Sequence, residues 1–530
     1  MVRPSIVAGM MRHLLLAAVT SAAIAVAPRV EAGCGFYAPP ATASGAAIVN
    51  DADQVSLFRE GNRVALTMST NYKGPLEDFA MVVPVPVVLK EEAVKTLSPA
   101  IFAHLEKLTA PRVVERDERD PCFRAPQTDG VGAAPGGGAP GMTGAKGGAG
   151  GGHGVTVEAA FIVGEYEIVV LSAKESDGLE KWLVEHKYKM PEGAAAALAP
   201  YVTAQQKFVV AKVDKTKVKR DASGEVVLSP LRFVYETNDF RLPVRLGLLN
   251  APKGGKQDLL IYILSSKRLE TSNYPNVFIP TNVDVADSVA TKLGPFYAAL
   301  FDATLAKAGG RAVVTEYAYP ANLCGEPCLS TALDGSELGK LGGDMVGKDL
   351  DASAYTLTRL HTRYDAATLS EDLVFKAADG VVGGRDFDPG AEGEFAKKAE
   401  GASAFQSRYV VRHPWQGPIR CDAPIRGVWL PRHGAGTPAL SVAGSPREAS
   451  LASLVVSPVA QLAIAGTTKK FGEVAVAPDV PKAAAPKKAK EPDEPPAAPS
   501  KVPWIVGATG AVILIALGLM FARRRPNGAA

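Results

Sequence analysis

The sequence is poor in the residues and motifs that most often carry out catalysis. Histidine occurs only seven times in 530 residues. There is no His-Glu-x-x-His zinc-protease motif, no Gly-x-Ser-x-Gly nucleophile turn and no phosphate-binding loop ending in Gly-Lys-Ser/Thr. The sequence therefore predicts no catalytic residue, no cofactor and no metal ligand.

A strong charge of one sign is also lacking. The formal net charge is +3, too small to indicate a nucleic-acid partner. Hydrophobic residues make up 47% and charged residues 21%, a balance that allows ordinary globular cores. The length of 530 residues is enough for two or three domains.

Cysteine is scarce, with five residues in the chain. In an exported protein we expect disulfides, and an odd number leaves at least one cysteine free or bonded between chains. We predict Cys34 with Cys122, and Cys421 with either Cys324 or Cys328. Zinc binding or a redox dithiol at Cys324 and Cys328 is a less favoured alternative, because no second Cys or His pair accompanies them.

The amino terminus predicts a secretory signal peptide over 1–32. Basic residues precede an apolar run, 14–27, that would rise about 21 Å as a helix at roughly 1.5 Å per residue. The hydrocarbon core of a bilayer is about 30 Å thick, so this run is too short to span it comfortably. Small residues predict cleavage between Ala32 and Gly33. An uncleaved anchor, or lipid on Cys34, is less favoured.

The carboxyl terminus predicts a single membrane anchor. Segment 502–522 carries no charge and would rise about 31 Å as a helix. Trp504 lies at its start, where indole favours the interface, and Arg523, Arg524 and Arg525 follow its end. Clustered arginines resist translocation, so we expect the tail in the cytoplasm and the amino-terminal mass outside it.

Composition divides the chain into segments. A Gly-rich stretch predicts a disordered insert, and a Pro/Ala/Lys-rich stretch predicts an extended stalk. We favour one domain interrupted by the insert over two separate domains. The predicted segments are the signal peptide 1–32, ectodomain parts 33–128 and 155–471, the insert 129–154, the stalk 472–501, the span 502–522 and the tail 523–530.

The sequence pattern of the ectodomain predicts an α+β fold, with mixed or antiparallel sheets and a few packed helices. Residues 55–59 and 63–68 flank Glu60-Gly61-Asn62 as a hairpin, and Pro84 and Pro86 limit 79–88 to an edge or irregular strand. A helix begins near Ser98-Pro99. Further strands are predicted at 155–163, 166–171, 208–213, 231–236, 243–249 and 259–264, and further helices at 178–188, 193–206 and 295–308.

One basic pattern is a candidate anion site. Alternation places Arg359, His361 and Arg363 on one face of a predicted strand, and Arg245 has the same spacing from Arg241 on a second predicted strand. Aligned, they could bind an anionic ligand. We expect instead a solvated face of an antiparallel sheet; a structural network paired with carboxylates is the other alternative.

Several segments resemble a bacterial family grouped as domain of unknown function 2330. The segments include Cys34-Gly35-Phe36-Tyr37, Glu77-Asp78-Phe79-Ala80-Met81-Val82-Val83-Pro84-Val85-Pro86, Leu242-Pro243-Val244-Arg245-Leu246 and Leu357-Thr358-Arg359-Leu360-His361-Thr362-Arg363-Tyr364. The resemblance covers about 33–413 and implies a signal peptide, an envelope location and often a carboxyl-terminal anchor. It implies no activity, and relatives often have a second cysteine where this chain has Tyr37.

These observations favour a non-enzymatic ectodomain anchored in a bacterial cell envelope. Its expected partners are the membrane and an envelope protein or surface ligand. The alternative is an extracytoplasmic enzyme whose site assembles from residues distant in sequence.

Overall fold

The structure is a computed structural model, and it describes most of 35–456. Its gaps are 41–48, 51–52, 70–71, 74–78, 125–154, 221–225, 251–255, 326–327, 329, 348–349, 385–396, 400, 433–436, 439–446 and 448. The predicted signal peptide, Gly-rich insert, stalk and apolar span lie outside the described residues.

A large mixed sheet of eleven strands carries much of the molecule. It is built around the predicted hairpin, which is confirmed: Asp53–Glu60 pairs with Arg63–Ser69 across a turn in which Gly61 has φ +59°. The strand order is Lys397–Ala399, Gly380–Gly383, Ala404–Gln406, Val313–Pro320, Thr356–Tyr364, Gln257–Ser265, Asp53–Glu60, Arg63–Ser69, Leu231–Glu236 and Val94–Thr96, with Asn276–Phe278 also beside Val313–Pro320.

A second sheet has five antiparallel strands. We call it the small sheet, and its order is Phe36–Ala38, Ala80–Val85, Lys207–Val213, Tyr166–Ala173 and Val155–Val163. Ala80–Val85 has neighbours on both sides at 80–82 and on one side only beyond them, so the predicted edge position is wrong for 80–82 and confirmed at Pro84. Pro84 is tolerated there because Phe36–Ala38 pairs only with 80–82, so Pro84 has a ladder partner on one side alone, Phe208.

A third sheet also has five strands. It contains Val283–Asp284, Arg408–His413, Arg112–Glu118 and Trp429–Pro431, with Thr437–Pro438 beside Arg112–Glu118. Minor sheets comprise Arg241–Leu242, Leu373–Ala377 and Leu269–Thr271; Lys219–Arg220 with Val226–Val227; and Val49–Asn50 with Tyr72–Lys73. The predicted strand 243–249 is wrong, since Leu246–Asn250 is a 3-10 helix.

Helices are few and short. The α-helices are Ala100–Thr109, Ser176–Glu185, Ala194–Thr203, Leu293–Lys307, Gly335–Leu341 and Leu451–Leu454, and further 3-10 helices are Glu91–Ala93, Asp287–Ala290, Gly343–Met345 and Ala352–Ala354. The predicted α+β class is confirmed. Within the described ranges no helix has the length and apolarity needed to cross a membrane.

The two main sheets pack face to face. Apolar residues of both sheets form the core between them, which includes Leu57, Ile261, Met81 and Val209. The other face of the small sheet is covered by helices Ser176–Glu185 and Ala194–Thr203. The other face of the large sheet is covered by Ala100–Thr109, Gly335–Leu341 and Leu293–Lys307. The result is a helix–sheet–sheet–helix arrangement.

Strands on both sides of the Gly-rich segment belong to the same sheets. Ala80–Val85 pairs with Lys207–Val213, and Asp53–Glu60 pairs in parallel with Gln257–Ser265. The core between the sheets therefore contains residues from before and after 129–154.

The disulfides differ from the predicted pairs. Cys122 is bonded to Cys421, with Cα atoms 5.5 Å apart, and Cys324 to Cys328. The predicted pairs were wrong because Cys122 and Cys421 follow the parallel neighbours Arg112–Glu118 and Arg408–His413, whose ends meet at one edge of the third sheet. Cys34 lies outside the described residues.

Candidate functional site

The basic strand Thr356–Tyr364 lies in the interior of the large sheet. It pairs with Gln257–Ser265 on one side and Val313–Pro320 on the other. Arg359 and His361 are each 1% exposed, so the expected solvated face is wrong. Burial follows because helix Leu293–Lys307 packs over this part of the sheet, and its Phe301 ring stacks on the His361 ring at 3.9 Å.

His361 is held between two carboxylates. Its Nδ1 lies 2.7 Å from Glu316 Oε1, and its Nε2 lies 3.0 Å from Asp258 Oδ1. Each neighbouring strand supplies one of these carboxylates, Asp258 from Gln257–Ser265 and Glu316 from Val313–Pro320. Both ring nitrogens therefore have an acceptor, the arrangement expected for an imidazolium that donates on both sides.

Glu316 joins three further groups. Arg359 Nε donates to Glu316 Oε2 at 2.6 Å, and the Tyr297 hydroxyl donates to Oε1 at 2.5 Å. Arg359 Nη1 also reaches Thr109 Oγ1 at 3.3 Å, which links the pair to the end of helix Ala100–Thr109. The carboxylate thus receives charged donors from His361 and Arg359 and a neutral donor from Tyr297.

The pKa shifts follow from this geometry. Burial alone would raise the pKa of Glu316, but the charges of His361 and Arg359 outweigh it and lower that pKa to about 2. Burial would lower the pKa of His361, and Glu316 and Asp258 outweigh it and raise that pKa. The two shifts favour an ionised Glu316 beside a protonated His361.

A ring of charges closes the outer side of the site. Arg363 Nη1 lies 3.1 Å from Asp302 Oδ2, on the covering helix. Arg447 bonds to Asp258 Oδ2 at 2.8 Å and to Asp302 Oδ1 at 2.8 Å. We call Asp258, Asp302, Glu316, Arg359, His361, Arg363 and Arg447 the buried charge cluster; its inner members Asp258, Glu316, Arg359 and His361 are buried, and the outer three are partly exposed.

Arg245 is not part of this cluster. It follows the short strand Arg241–Leu242, which pairs with Leu373–Ala377 and not with the basic strand. Its Nε lies 3.4 Å from Asp372 Oδ1, and its guanidinium carbon lies 5.1 Å from the Tyr201 ring centroid. The predicted alignment of Arg245 with Arg359, His361 and Arg363 is wrong.

The ion pairs within the cluster limit the chemistry that its side chains can carry out. A general base needs a free lone pair within reach of a substrate proton, whereas His361 is buried, its pKa is raised and both its nitrogens face carboxylates. The three arginines of the cluster likewise face carboxylates. The geometry agrees with the alternative in which the basic residues form a structural network with carboxylates. This network joins three neighbouring strands of the large sheet to helix Leu293–Lys307 and to the segment at Arg447.

Among the residues that the structure describes, no group of three or more His, Cys, Asp or Glu side chains is placed to hold a metal ion. Cys324 and Cys328, the candidate zinc or dithiol pair, are bonded to each other.

A groove lies where the small sheet meets the end of strand Leu231–Glu236. Its volume is about 170 Å³, below the roughly 300 Å³ at which ligand pockets begin. Arg241 Nε donates to Asp239 Oδ2 at 2.6 Å beside it. The lining residues are Pro84, Pro86, Ala204, Gln206, Tyr235, Thr237, Asp239, Arg241 and Pro243.

Sequence reasoning missed the acidic half of the cluster. Asp258 is the second residue of a largely apolar strand, and Glu316 lies inside another, with buried residues on both sides. A single carboxylate within such a run is a usable signal, because a buried charge requires a partner. Tyr297 and Arg447 gave no comparable signal.

The fold and this site define an α+β protein with paired charges buried against its central sheet. The family described as "uncharacterized protein conserved in bacteria", DUF2330, matches residues 28–376. The chain belongs to this family, as the resemblance implied. The match ends before strand Arg408–His413, although that strand pairs with Arg112–Glu118 inside the matched region. No curated protein and no solved structure matches the chain.

Proposed function

We propose that this protein is exported and held in the bacterial envelope by one span at 502–522, with a binding or structural ectodomain. The observation that carries export is the pair of disulfides, Cys122–Cys421 and Cys324–Cys328. Disulfides persist in oxidising compartments and are rare in the bacterial cytosol. The apolar run 14–27 and the uncharged segment 502–522 support the same address.

A binding or structural role is favoured over catalysis by the state of the ionisable groups. In the buried charge cluster each arginine and His361 faces a carboxylate, and the cluster is covered by helix Leu293–Lys307. An enzyme needs titratable groups that open to a cleft. The charges of this cluster instead connect secondary-structure elements.

Topology is tested with the full chain carrying an epitope tag after Arg525, expressed in a Gram-negative host. We expect the tagged chain to stay in membranes through alkaline extraction. Protease added to spheroplasts should remove the ectodomain and spare the tag. A tag digested from outside would contradict the proposed orientation.

The anchor itself is tested by deletion. Removing 502–522 should release the chain into the soluble fraction, and removing the equally long stretch 480–500 should leave it in membranes. Non-reducing peptide mapping of the same material should recover the Cys122–Cys421 linkage. Reduced Cys122 and Cys421 in freshly lysed cells would contradict export.

A further inference from the structure

One exposed part of the molecule combines apolar and basic side chains on a rigid support. We call residues 119–124 and 414–430 the bridged tip, because the Cys122–Cys421 disulfide joins its two segments. Ile425 N also donates to Pro121 O at 2.8 Å, and Arg124 Nη2 donates to Ala423 O at 3.1 Å.

The tip is also tied to the third sheet. Glu118, at the end of strand Arg112–Glu118, accepts the backbone N–H groups of Trp415 at 2.9 Å and Gly427 at 2.7 Å. Strand Trp429–Pro431 pairs with the same strand. The two segments are therefore fixed in place by a covalent bond and by backbone hydrogen bonds.

Large apolar side chains are concentrated there in contact with solvent. Of the eleven large apolar side chains found exposed among the described residues, four belong to the tip. They are Phe123 (44%), Ile419 (47%), Ile425 (48%) and Leu430 (44%). Clustered exposed apolar side chains mark interaction surfaces more often than scattered ones do.

The basic side chains follow the apolar ones directly. The dipeptides Phe123-Arg124, Ile419-Arg420 and Ile425-Arg426 each place an arginine beside an exposed apolar residue, and two of them belong to a repeated Pro-Ile-Arg. All three arginines are exposed. The exposed acidic residue of the tip is Asp422. Glu118 below it is buried, accepts the two backbone N–H groups and lies 3.2 Å from Arg426 Nη1, so Arg426 already has a carboxylate partner and Arg124 and Arg420 are the arginines available to a phosphate.

We infer that the bridged tip binds the surface of an anionic phospholipid membrane, with its apolar side chains entering the acyl boundary and its arginines contacting phosphate. An apolar side chain next to a guanidinium matches the layering of a bilayer, where hydrocarbon lies directly below the phosphates. A soluble polyanion would account for the arginines but not for the exposed isoleucines. The inference rests on the proposed function in that the anchor at 502–522 brings the tip to a membrane.

The full chain is incorporated into nanodiscs of phosphatidylcholine alone or of phosphatidylcholine with phosphatidylglycerol. Hydrogen exchange of peptides covering 414–430 is then measured by mass spectrometry. We expect exchange to slow by roughly tenfold or more in the anionic discs, and the protection to fall at high salt because the charge contribution is screened. Equal exchange in both discs would overturn the inference.

Two pairs of substitutions separate lipid from other anions. Ile419→Ser with Ile425→Ser and Arg124→Gln with Arg420→Gln should each abolish most of the protection. Val184→Ser and Lys181→Gln, on the exposed side of helix Ser176–Glu185, are the matched controls and should change nothing. If the arginine pair matters and the isoleucine pair does not, the tip contacts phosphate without entering a membrane, and the inference is wrong.

Failure of the anchor and failure of the tip give different results. A chain that does not enter nanodiscs contradicts the proposed anchor, and the same chain is then mixed with phosphatidylglycerol vesicles and floated on a gradient. Flotation that the isoleucine pair abolishes supports the tip without the anchor. A chain that stays below the vesicles contradicts both.

Discussion

At the scale of the residue, the main feature is a set of opposite charges whose inner members are buried together. Glu316 is fully buried, and its neighbours His361 and Arg359 lie 2.7 and 2.6 Å from its oxygens. Glu106 lies near enough to interact electrostatically with Arg359 and is a further acidic group beside the cluster. With Glu106 included, four acidic groups oppose four basic ones, which is why such a cluster can be buried.

Glu316→Gln should lower the free energy of unfolding of the full chain by about 3–5 kcal/mol, because it leaves Arg359 and His361 buried without their shared counter-charge. Urea unfolding followed by tryptophan fluorescence measures the loss. The control is Glu167→Gln, whose partner Lys212 lies 3.0 Å away at a half-exposed site. It should lose less than about 1 kcal/mol. Equal losses would contradict the assigned role of the cluster.

His361 should make stability depend on pH. Its folded-state pKa is raised from 6.5, so its contribution is complete below about pH 6.5 and is lost as the pH rises through the raised value. Glu316 acts in the opposite direction: its contribution is lost as the pH falls from its ordinary 4.5 towards about 2.

The test is a thermal melting series in the full chain and in His361→Gln. The wild-type melting temperature should decline above about pH 6.5, and the variant, already less stable, should lack that decline. A decline of the same size in both proteins would show that another group titrates.

At the scale of the element, local patterns and long-range pairing account for different features. The hairpin, the helix with Ile101, Phe102, Leu105 and Leu108 on its buried face, and strand Thr356–Tyr364 follow from periodicity and turn residues. Predictions failed where a tertiary neighbour decided the outcome: residues 80–82 have Phe36–Ala38 as a second neighbouring strand, and 246–250 is helical.

Helix Gly335–Leu341 illustrates how a single residue determines how closely a helix packs against a sheet. Asp334 and Glu337 form a capping box at its start, and Gly342 follows its end with φ +137°. A Cβ on Gly342 would lie 2.5 Å from Ala65 Cβ and 2.8 Å from Phe58 Cβ, on the two strands of the hairpin. The missing side chain allows the helix end to rest on the sheet.

Gly342→Ala should therefore lower the free energy of unfolding by about 1–3 kcal/mol. Gly339→Ala in the same helix is the matched control: a Cβ there meets nothing within 4 Å, and alanine should add up to about 1 kcal/mol of stability. Chemical denaturation of both variants measures the difference. A neutral Gly342→Ala would contradict the close packing.

At the scale of the whole molecule, two segments that are far apart in the sequence are joined by parallel strand pairing and a covalent bond. Arg112–Glu118 and Arg408–His413 are neighbours in the third sheet, and the Cys122–Cys421 bridge spans 299 residues of sequence. The Cys324–Cys328 bridge spans only 4. The two bonds restrict the unfolded chain to very different degrees.

Replacing Cys122 and Cys421 by alanine should lower the free energy of unfolding by about 5 kcal/mol, and replacing Cys324 and Cys328 by about 2 kcal/mol, because loop-closure entropy grows with loop length. Urea unfolding without reductant gives the two values. Peptide mapping of each variant checks that the remaining bridge forms. A larger loss from the short bridge would contradict this assignment of roles.

The sequence by itself determined what depends on neighbours along the chain. Alternation predicted a strand that carries Arg359, His361 and Arg363 on one face, helical spacing predicted which side chains are buried, and the order of short motifs predicted the family. The same local reading predicts the signal peptide and the anchor, because membrane insertion depends on an uninterrupted apolar run.

Only the tertiary structure decided which distant residues meet. Asp258 and Glu316 reach His361 because two strands pair on either side of its own, and Cys421 reaches Cys122 because two strands lie parallel. Spacing along a chain carries no information about such partners, since many strand orders bury the same apolar pattern. The basic strand could thus be identified from the sequence, whereas its burial and its counter-charges depended on the strand order.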